Sequence, residues 1–331
     1  PHLIEVNERI RINGIPINDN EINEFIEKYK IYIEKFSASF FESITAMGFW
    51  FFKKNVVDIA IMETGLGGRL DAVTACNPIL TIITPISLDH TEILGNSIEK
   101  IAYEKAGIMK PKIPCIIAKQ SKSVYSILNK HAININCPLV HTKKSLPENV
   151  RPSLKGTKQY DNACLAYTAS KYLNQFSITK KNIKRGLENT IWFGRIQIIK
   201  DKPLIIFDVA HNESGIKSFL EYFKKVHNNG KAILIISLQK RKNIKNIISN
   251  LYYYFDFIIC CETNNSRGMT LKQLSKQIGQ NDRAIYIQSS IRAIKKGLTL
   301  LTKNDDKLVI MGTHHLGEPI SSIFNKSFDK L

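Results

Sequence analysis

Three short polar clusters in this sequence each follow directly on an apolar run, the place where an open parallel sheet presents residues to a ligand. The first, Glu63-Thr64-Gly65-Leu66-Gly67-Gly68-Arg69-Leu70-Asp71, sets a carboxylate and then glycines at the end of the β-rich run 56–62. A carboxylate in that position suits Mg²⁺, and glycine lets backbone approach a ligand closely; a tight turn uses the same residues. The second, Leu88-Asp89-His90-Thr91, ends the apolar run 79–86. An imidazole facing the same crevice as Glu63 supplies a metal ligand, with a structural histidine as the alternative. In the third, Phe207-Asp208-Val209-Ala210-His211-Asn212, Asp208 closes a strand and equally suits a cap ahead of the helix that starts near Ser214.

The elements that must hold these clusters alternate in type. Residues 7–14 read as a short strand ending in an Asn-Gly turn, followed by a helix from Asp19 and another over 41–53. Strands are predicted at 56–62, 79–86 and around Cys115, with a helix from Ser97 that stops near Gly107. Between Ser121 and Leu154 the pattern blurs, with Pro138, Pro147 and Pro152 breaking any long element, and a helix returns over 161–173. From Leu204 a second series begins: strands at 204–207, 232–236, 257–260, 284–287 and 307–311, with helices between them. Alternation of this kind predicts parallel sheets covered on both faces.

A length of 331 residues exceeds one compact core, so two domains are expected, at 1–193 and 194–331. The net charge of +18 invites a nucleic-acid reading, but apart from Lys240-Arg241-Lys242 and Lys180-Lys181 the lysines are dispersed among Asn and Ile. That dispersal favours a compositional bias over a nucleic-acid groove, and the excess helps to draw in polyanionic substrates. No apolar run is long and uncharged enough to span a bilayer. The six cysteines, Cys76, Cys115, Cys137, Cys164, Cys260 and Cys261, show no CxxC pairing and no metal-ligand spacing, which points to small core residues in a reducing cytoplasm.

Taken together and in order, Pro1-His2-Leu3, the stretch 7–12, Phe40-Phe41-Glu42, the cluster 63–71, Leu88-Asp89-His90-Thr91, Glu104-Lys105-Ala106-Gly107-Ile108, Gly194-Arg195 and Asp208-Val209-Ala210-His211-Asn212 resemble the folylpolyglutamate synthase/dihydrofolate synthase family, within the Mur-ligase superfamily. The resemblance implies an α/β fold: a P-loop-type ATPase domain with a mostly parallel sheet, here incomplete, and a C-terminal Rossmann-like domain. It implies ATP-dependent ligation of L-glutamate to dihydropteroate or a folate in folate biosynthesis, through an acyl phosphate, by a cytoplasmic monomer with no nucleic-acid or membrane partner.

Carried over position by position, the resemblance makes Glu63, His90 and a carbamylated Lys105 the ligands of two Mg²⁺ ions, with K⁺ as a further cation. It gives Asn162 to the adenine, Arg195 and Asp208 to the phosphates, and a catalytic place to His211. Ser39, Phe40, Phe41, Glu42, Leu70, Asp71 and Ala72 match pteroate-binding stretches, where aromatic rings stack on a flat heterocycle and a carboxylate bonds its nitrogens. Ser39 stands where the family commonly has Thr. The family's Gly-Lys-Ser/Thr loop precedes the Pro-His-Leu motif, and no GxxxxGK[ST] occurs in the sequence. The expectation is therefore a fragment or a misplaced start, inactive alone. Two other readings remain open: a Mur-type ligase acting on a peptidoglycan precursor, and a basic nucleic-acid-binding protein.

Overall fold

The structure is a computed structural model and describes residues 2–143 and 145–328. Pro1, the first residue of the Pro-His-Leu motif, lies outside the described residues. By its contacts the chain forms two units. One holds Arg9–Ser153 and Gln159–Asn189; the other holds the residues before Arg9, Leu154–Lys158 and the chain from Thr190 onward. The expected boundary at 193 falls just past Thr190. Two earlier pieces pack with the later unit because their contacts are there: a Cβ on Gly317 would lie 3.0 Å from Leu3, and one on Gly156 would meet Ile196 at 2.7 Å.

The unit that begins at Arg9 opens with a hairpin of β1 (Arg11–Ile12) and β2 (Ile15–Pro16), turned by Asn13 and Gly14, both at positive φ. Next come α1 (Asp19–Lys35), capped by Asn18, and α2 (Phe40–Lys54), which starts in a Ser39/Glu42 capping box. Ile10, Ile17, Phe25, Met47 and Phe51 form their shared core. The strand expected at 56–62 does not form. Val56 leaves α2 at a φ of +49°, and Val56 and Ile61 stay 85% and 91% exposed. The run has strand-forming composition, but β structure needs a neighbour to accept its ladder bonds, and among the described residues none pairs with it.

The sheet of this unit is β3 (Thr81–Ile83), β4 (Cys115–Ile117) and β5 (Leu139–His141), all parallel in that order. Between β3 and β4 lie α3 (Thr91–Leu94) and α4 (Ile98–Ala106); α5 (Lys122–Asn134) leads into β5. Alternation along β4 divides the core. Cys115 and Ile117 pack with α4 and α5, whereas Ile116 meets Leu165 and Ala169 of α6 (Thr157–Ser170) on the other face. Helix α7 (Lys180–Asn189) completes the unit. Both α5 and β5 fall in the stretch that read as featureless.

The second unit is one sheet of six strands in the order β10-β9-β8-β11-β7-β6: β6 (Gln197–Asp201), β7 (Leu204–Asp208), β8 (Ala232–Ile236), β9 (Phe257–Glu262), β10 (Ala284–Ser289) and β11 (Lys307–Met311). Only β6 runs antiparallel to its neighbour. Helices α8 (Glu213–Val226), α9 (Ile248–Tyr254) and α10 (Leu271–Ile278) cover one face. The other face is covered by α11 (Ser290–Leu300) and α12 (Gly317–Phe324). β8 and β11 are buried at every residue, as a doubly covered parallel sheet requires. Five of the six cysteines are buried, all six are free, and burial pushes the Cys115 and Cys260 thiols up to about 12, which suits packing residues.

Candidate functional site

In the unit that begins at Arg9, the glycine cluster is built around Asp71. Its carboxylate is buried; one oxygen accepts the amides of Gly65 and Leu66, both at 2.8 Å, and the other accepts Val73 N at 3.0 Å. Asp71 thus closes the loop 65–71 and caps the short helix that follows. The loop then docks on the end of α4. Arg69 N donates to Glu104 O at 2.8 Å, and the Arg69 guanidinium donates to Glu104 Oε1 at 3.0 and 3.2 Å. This approach explains two glycines: a Cβ on Gly107 would sit 2.3 Å from Arg69 Cα, and one on Gly68 would lie 2.9 Å from Glu104 O. Sequence motifs some 35 residues apart are therefore one physical object.

Lys105 sits at that junction, half-buried. Burial lowers its ammonium below the ordinary lysine value, while the nearby carboxylates of Asp89 and Asp71 pull the other way. His90 caps α3 at a φ of +52°, its amide bonded to Asp89 Oδ1 at 2.9 Å and its ring exposed. Glu63 is exposed at the entrance of the glycine loop. Among the described residues no three His, Cys, Asp or Glu side chains gather as a metal site. The donor chemistry still fits Mg²⁺, which is commonly held by one or two carboxylates plus phosphate oxygens and not by an all-protein cage.

Of the residues matched to pteroate binding, several are already engaged. Ser39 N donates to Glu42 Oε2 at 2.7 Å and Glu42 N to Ser39 Oγ at 3.3 Å; hydrogen bonding from the Ser39 side chain, then from its amide, holds the Glu42 carboxyl below its usual range. The Phe41 ring lies against Gly65, where a Cβ would come within 2.7 Å, so it joins α2 to the glycine loop. Ala72 begins the short helix capped by Asp71. Phe40 and Leu70 keep open apolar surface, 58% and 80% exposed, with the Arg9 guanidinium 5.4 Å from the Phe40 ring. Asn162, on exposed α6 surface, donates to Gln159 Oε1 at 3.3 Å.

In the second unit, Asp208 ends β7 with its carboxylate buried. Oδ2 accepts Ile196 N at 2.8 Å, and Oδ1 accepts Ala210 N at 2.7 Å. Burial raises the carboxyl above its ordinary value, opposed by these two amides and by Arg195 and Lys158. The turn it grips needs positive φ at Gly194 (+71°) and at Ile196 (+44°), with exposed Arg195 between them. Val209 N donates to Gly194 O at 2.9 Å, so the turn is fixed from both sides of β7. His211 places Nδ1 3.0 Å from Val209 O, and Asn212 caps α8 by accepting Gly215 N at 2.8 Å.

Lys158 has no role in the reading of the sequence alone. The structure brings it to this place: Nζ donates to Ser214 O at 2.9 Å and to Ser214 Oγ at 2.8 Å, and burial, then Arg195, lowers its ammonium. The signal was Gly156, whose φ of +93° turns the chain into α6 against Ile196. Arg195 and Lys158 thus share the neighbourhood of one buried carboxylate at the start of a 14-residue helix, an arrangement suited to phosphate oxygens.

Residues 194–314 match the model of the Mur ligase glutamate ligase domain, and with the parallel sheets this defines a Mur-ligase-like α/β protein. The dihydrofolate synthase/folylpolyglutamate synthase of Bacillus subtilis (strain 168) is 34% identical over 283 residues, 76% of this chain and 66% of that protein. A probable dihydrofolate synthetase of Schizosaccharomyces pombe is 30% identical over 96% of this chain and 83% of its own length. Among solved structures, E. coli FolC in complex with DHPP and ADP superposes with a TM-score of 0.89 at 26% identity, covering 98% of this chain and 80% of that one. The chain belongs to the dihydrofolate synthase/folylpolyglutamate synthase family of C–N ligases. The peptidoglycan and nucleic-acid alternatives are not favoured. It spans just under two thirds of the length of the B. subtilis relative. Among the described residues no helix is long and apolar enough to cross a membrane.

Proposed function

We propose that the chain joins L-glutamate to the carboxylate of dihydropteroate, of a folate, or of both, using ATP. The γ-phosphoryl group passes to a carboxylate oxygen and ADP leaves. The glutamate amine then attacks the acyl carbon, the acyl C–O bond to phosphate breaks, and the amine proton goes to solvent. The observation that carries this reading is the pair of cations, Arg195 and Lys158, beside the buried Asp208 at the end of β7.

In this reading Arg195 and Lys158 hold phosphate oxygens through charge-assisted bonds. Asp208 is a positioning residue, since both its oxygens are occupied by the amides that shape the two flanking loops. His211, fixed by Val209 O, faces the same phosphates, and Asn162 contacts the adenine. Phe40 and Leu70 supply open apolar surface for a pterin, while Ser39, Phe41, Glu42, Asp71 and Ala72 shape the walls behind it. Glu63, His90 and a carbamylated Lys105 would hold two Mg²⁺ ions, which neutralise phosphate charge when bound, with K⁺ as a further cation. CO₂ addition to the Lys105 amine forms an N–C bond, releases a proton, and turns a cation into an oxygen ligand. A cytoplasmic monomer acting on small molecules belongs to the same proposal.

Calorimetry separates this from peptidoglycan chemistry. Dihydropteroate or a reduced folate is expected to bind, and Phe40→Ala to weaken that binding about tenfold through the lost stacking face. Binding of a uridine-nucleotide precursor with none of either pteridine would overturn the proposal.

A further inference from the structure

Strand β3 stops where its sequence requires. Along β3 the residues that face β4 are Thr81, whose amide donates to Pro114 O at 3.0 Å, and Ile83, whose carbonyl accepts Ala118 N at 2.9 Å. The next rung would need an amide at position 85, and Pro85 has none. Here the side chain of Gln120 takes the place of a further peptide group: Nε2 donates to Thr84 O at 2.9 Å, and Oε1 accepts Ile86 N at 3.0 Å. One carboxamide offers a donor and an acceptor together, so it satisfies the carbonyl before the proline and the amide after it. Ile86 is buried, where an amide without an acceptor is costly. The span fixed in this way leads straight to Asp89 and His90. His90 sits at a φ of +52°, uncommon for a residue with a side chain, and α3 grips it from the other side, with Ile93 N and Leu94 N donating to His90 O at 3.1 and 2.9 Å. Helix α3 has only four residues and buries none of them, so by itself it is a weak anchor.

We infer that Gln120 is a positioning residue for metal binding: it clamps the span 84–90 so that the His90 imidazole is presented to a divalent cation. The inference rests on the reading of His90 as a Mg²⁺ ligand and extends it to a residue 30 positions away in the sequence. Gln120 acts through the backbone it holds and not by binding the ion. Mg²⁺ demands near-ideal octahedral geometry, so affinity falls when the loop that carries one ligand is loosened. The sheet itself does not depend on the clamp, because β3, β4 and β5 keep their own ladder bonds. A change at Gln120 should therefore reach the metal more than the fold.

The test is a Mn²⁺ titration of the whole chain, followed by paramagnetic broadening of the His90 ring resonance, with hydrogen exchange at the Ile86 amide measured alongside. His90→Ala assigns the resonance. Gln120→Met keeps the side chain's length and loses both bonds, and Gln120→Asn, one methylene shorter, reaches at most one partner. Thr142→Val is the control: it removes the bond from Thr142 Oγ1 to Ile117 O, 2.7 Å long, on the β5 side of β4. Gln120→Met is expected to need about tenfold more Mn²⁺ for the same broadening, Gln120→Asn an intermediate amount, and Thr142→Val to stay within about twofold of wild type. Exchange at Ile86 should rise about fivefold or more in Gln120→Met and not in Thr142→Val. Equal losses in Gln120→Met and Thr142→Val, or wild-type broadening in both Gln120 variants, would overturn the inference while leaving His90 as a ligand. Absence of His90 broadening in the wild type would overturn the ligand reading and the inference with it.

Discussion

Replacing Asp208 with asparagine changes one atom's chemistry at the centre of the second unit. The wild-type carboxylate accepts Ile196 N at 2.8 Å and Ala210 N at 2.7 Å from a buried position. Asparagine keeps one acceptor and turns an amide donor towards the other N–H. A charge-assisted bond to a buried amide contributes about 1.5–3 kcal/mol, and the facing donors add to the loss. Relief of the buried charge offsets part of it, since burial already raises this carboxyl. The net expectation is about 2 kcal/mol, or about a thirtyfold rise in local opening. Hydrogen exchange should show that rise at the Ile196 and Ala210 amides, together with a lower urea midpoint for the second unit. Unchanged protection at both amides would refute the assignment of Asp208 as the fastener of the Gly194–Ile196 turn.

Gly107→Ala should destabilise the unit that begins at Arg9 by about 2–4 kcal/mol, because its Cβ would strike Arg69 backbone atoms at 2.3 and 2.7 Å; urea titration checks this. Burial, then His315, His2 and His211, lowers His314 to about 3. A histidine depressed in the folded state contributes stability that is present above the unfolded value of 6.5 and lost as pH falls towards 3; with these values the loss reaches about 2 kcal/mol by pH 5. His314→Gln should flatten that part of the stability profile. Incubation with ¹³C-bicarbonate should give a carbamate carbon resonance that disappears in Lys105→Ala.

Much of the second unit was legible because its strands are covered on both faces. Continuous apolar runs at 232–236 and 307–311 coincide with β8 and β11. Helix α4 was bounded by local chemistry, the Ser97 cap and Gly107. Where reading failed, the missing information was tertiary. Residues 56–62 have strand composition but no ladder partner, and Pro138, taken as a breaker, precedes β5 and accepts Cys115 N through its carbonyl at 2.9 Å, a bond that needs no amide of its own. The contact of Lys158 to Ser214, 56 residues away, is made only by the fold.

The most direct test of the account is ADP and adenosine binding to the wild-type protein and to Lys158→Met and Arg195→Met. If these cations hold phosphate, each variant should lose about tenfold or more in ADP affinity while adenosine binding stays the same. ADP affinity unchanged in both variants, or an equal fall for adenosine, would contradict a phosphate site at the end of β7.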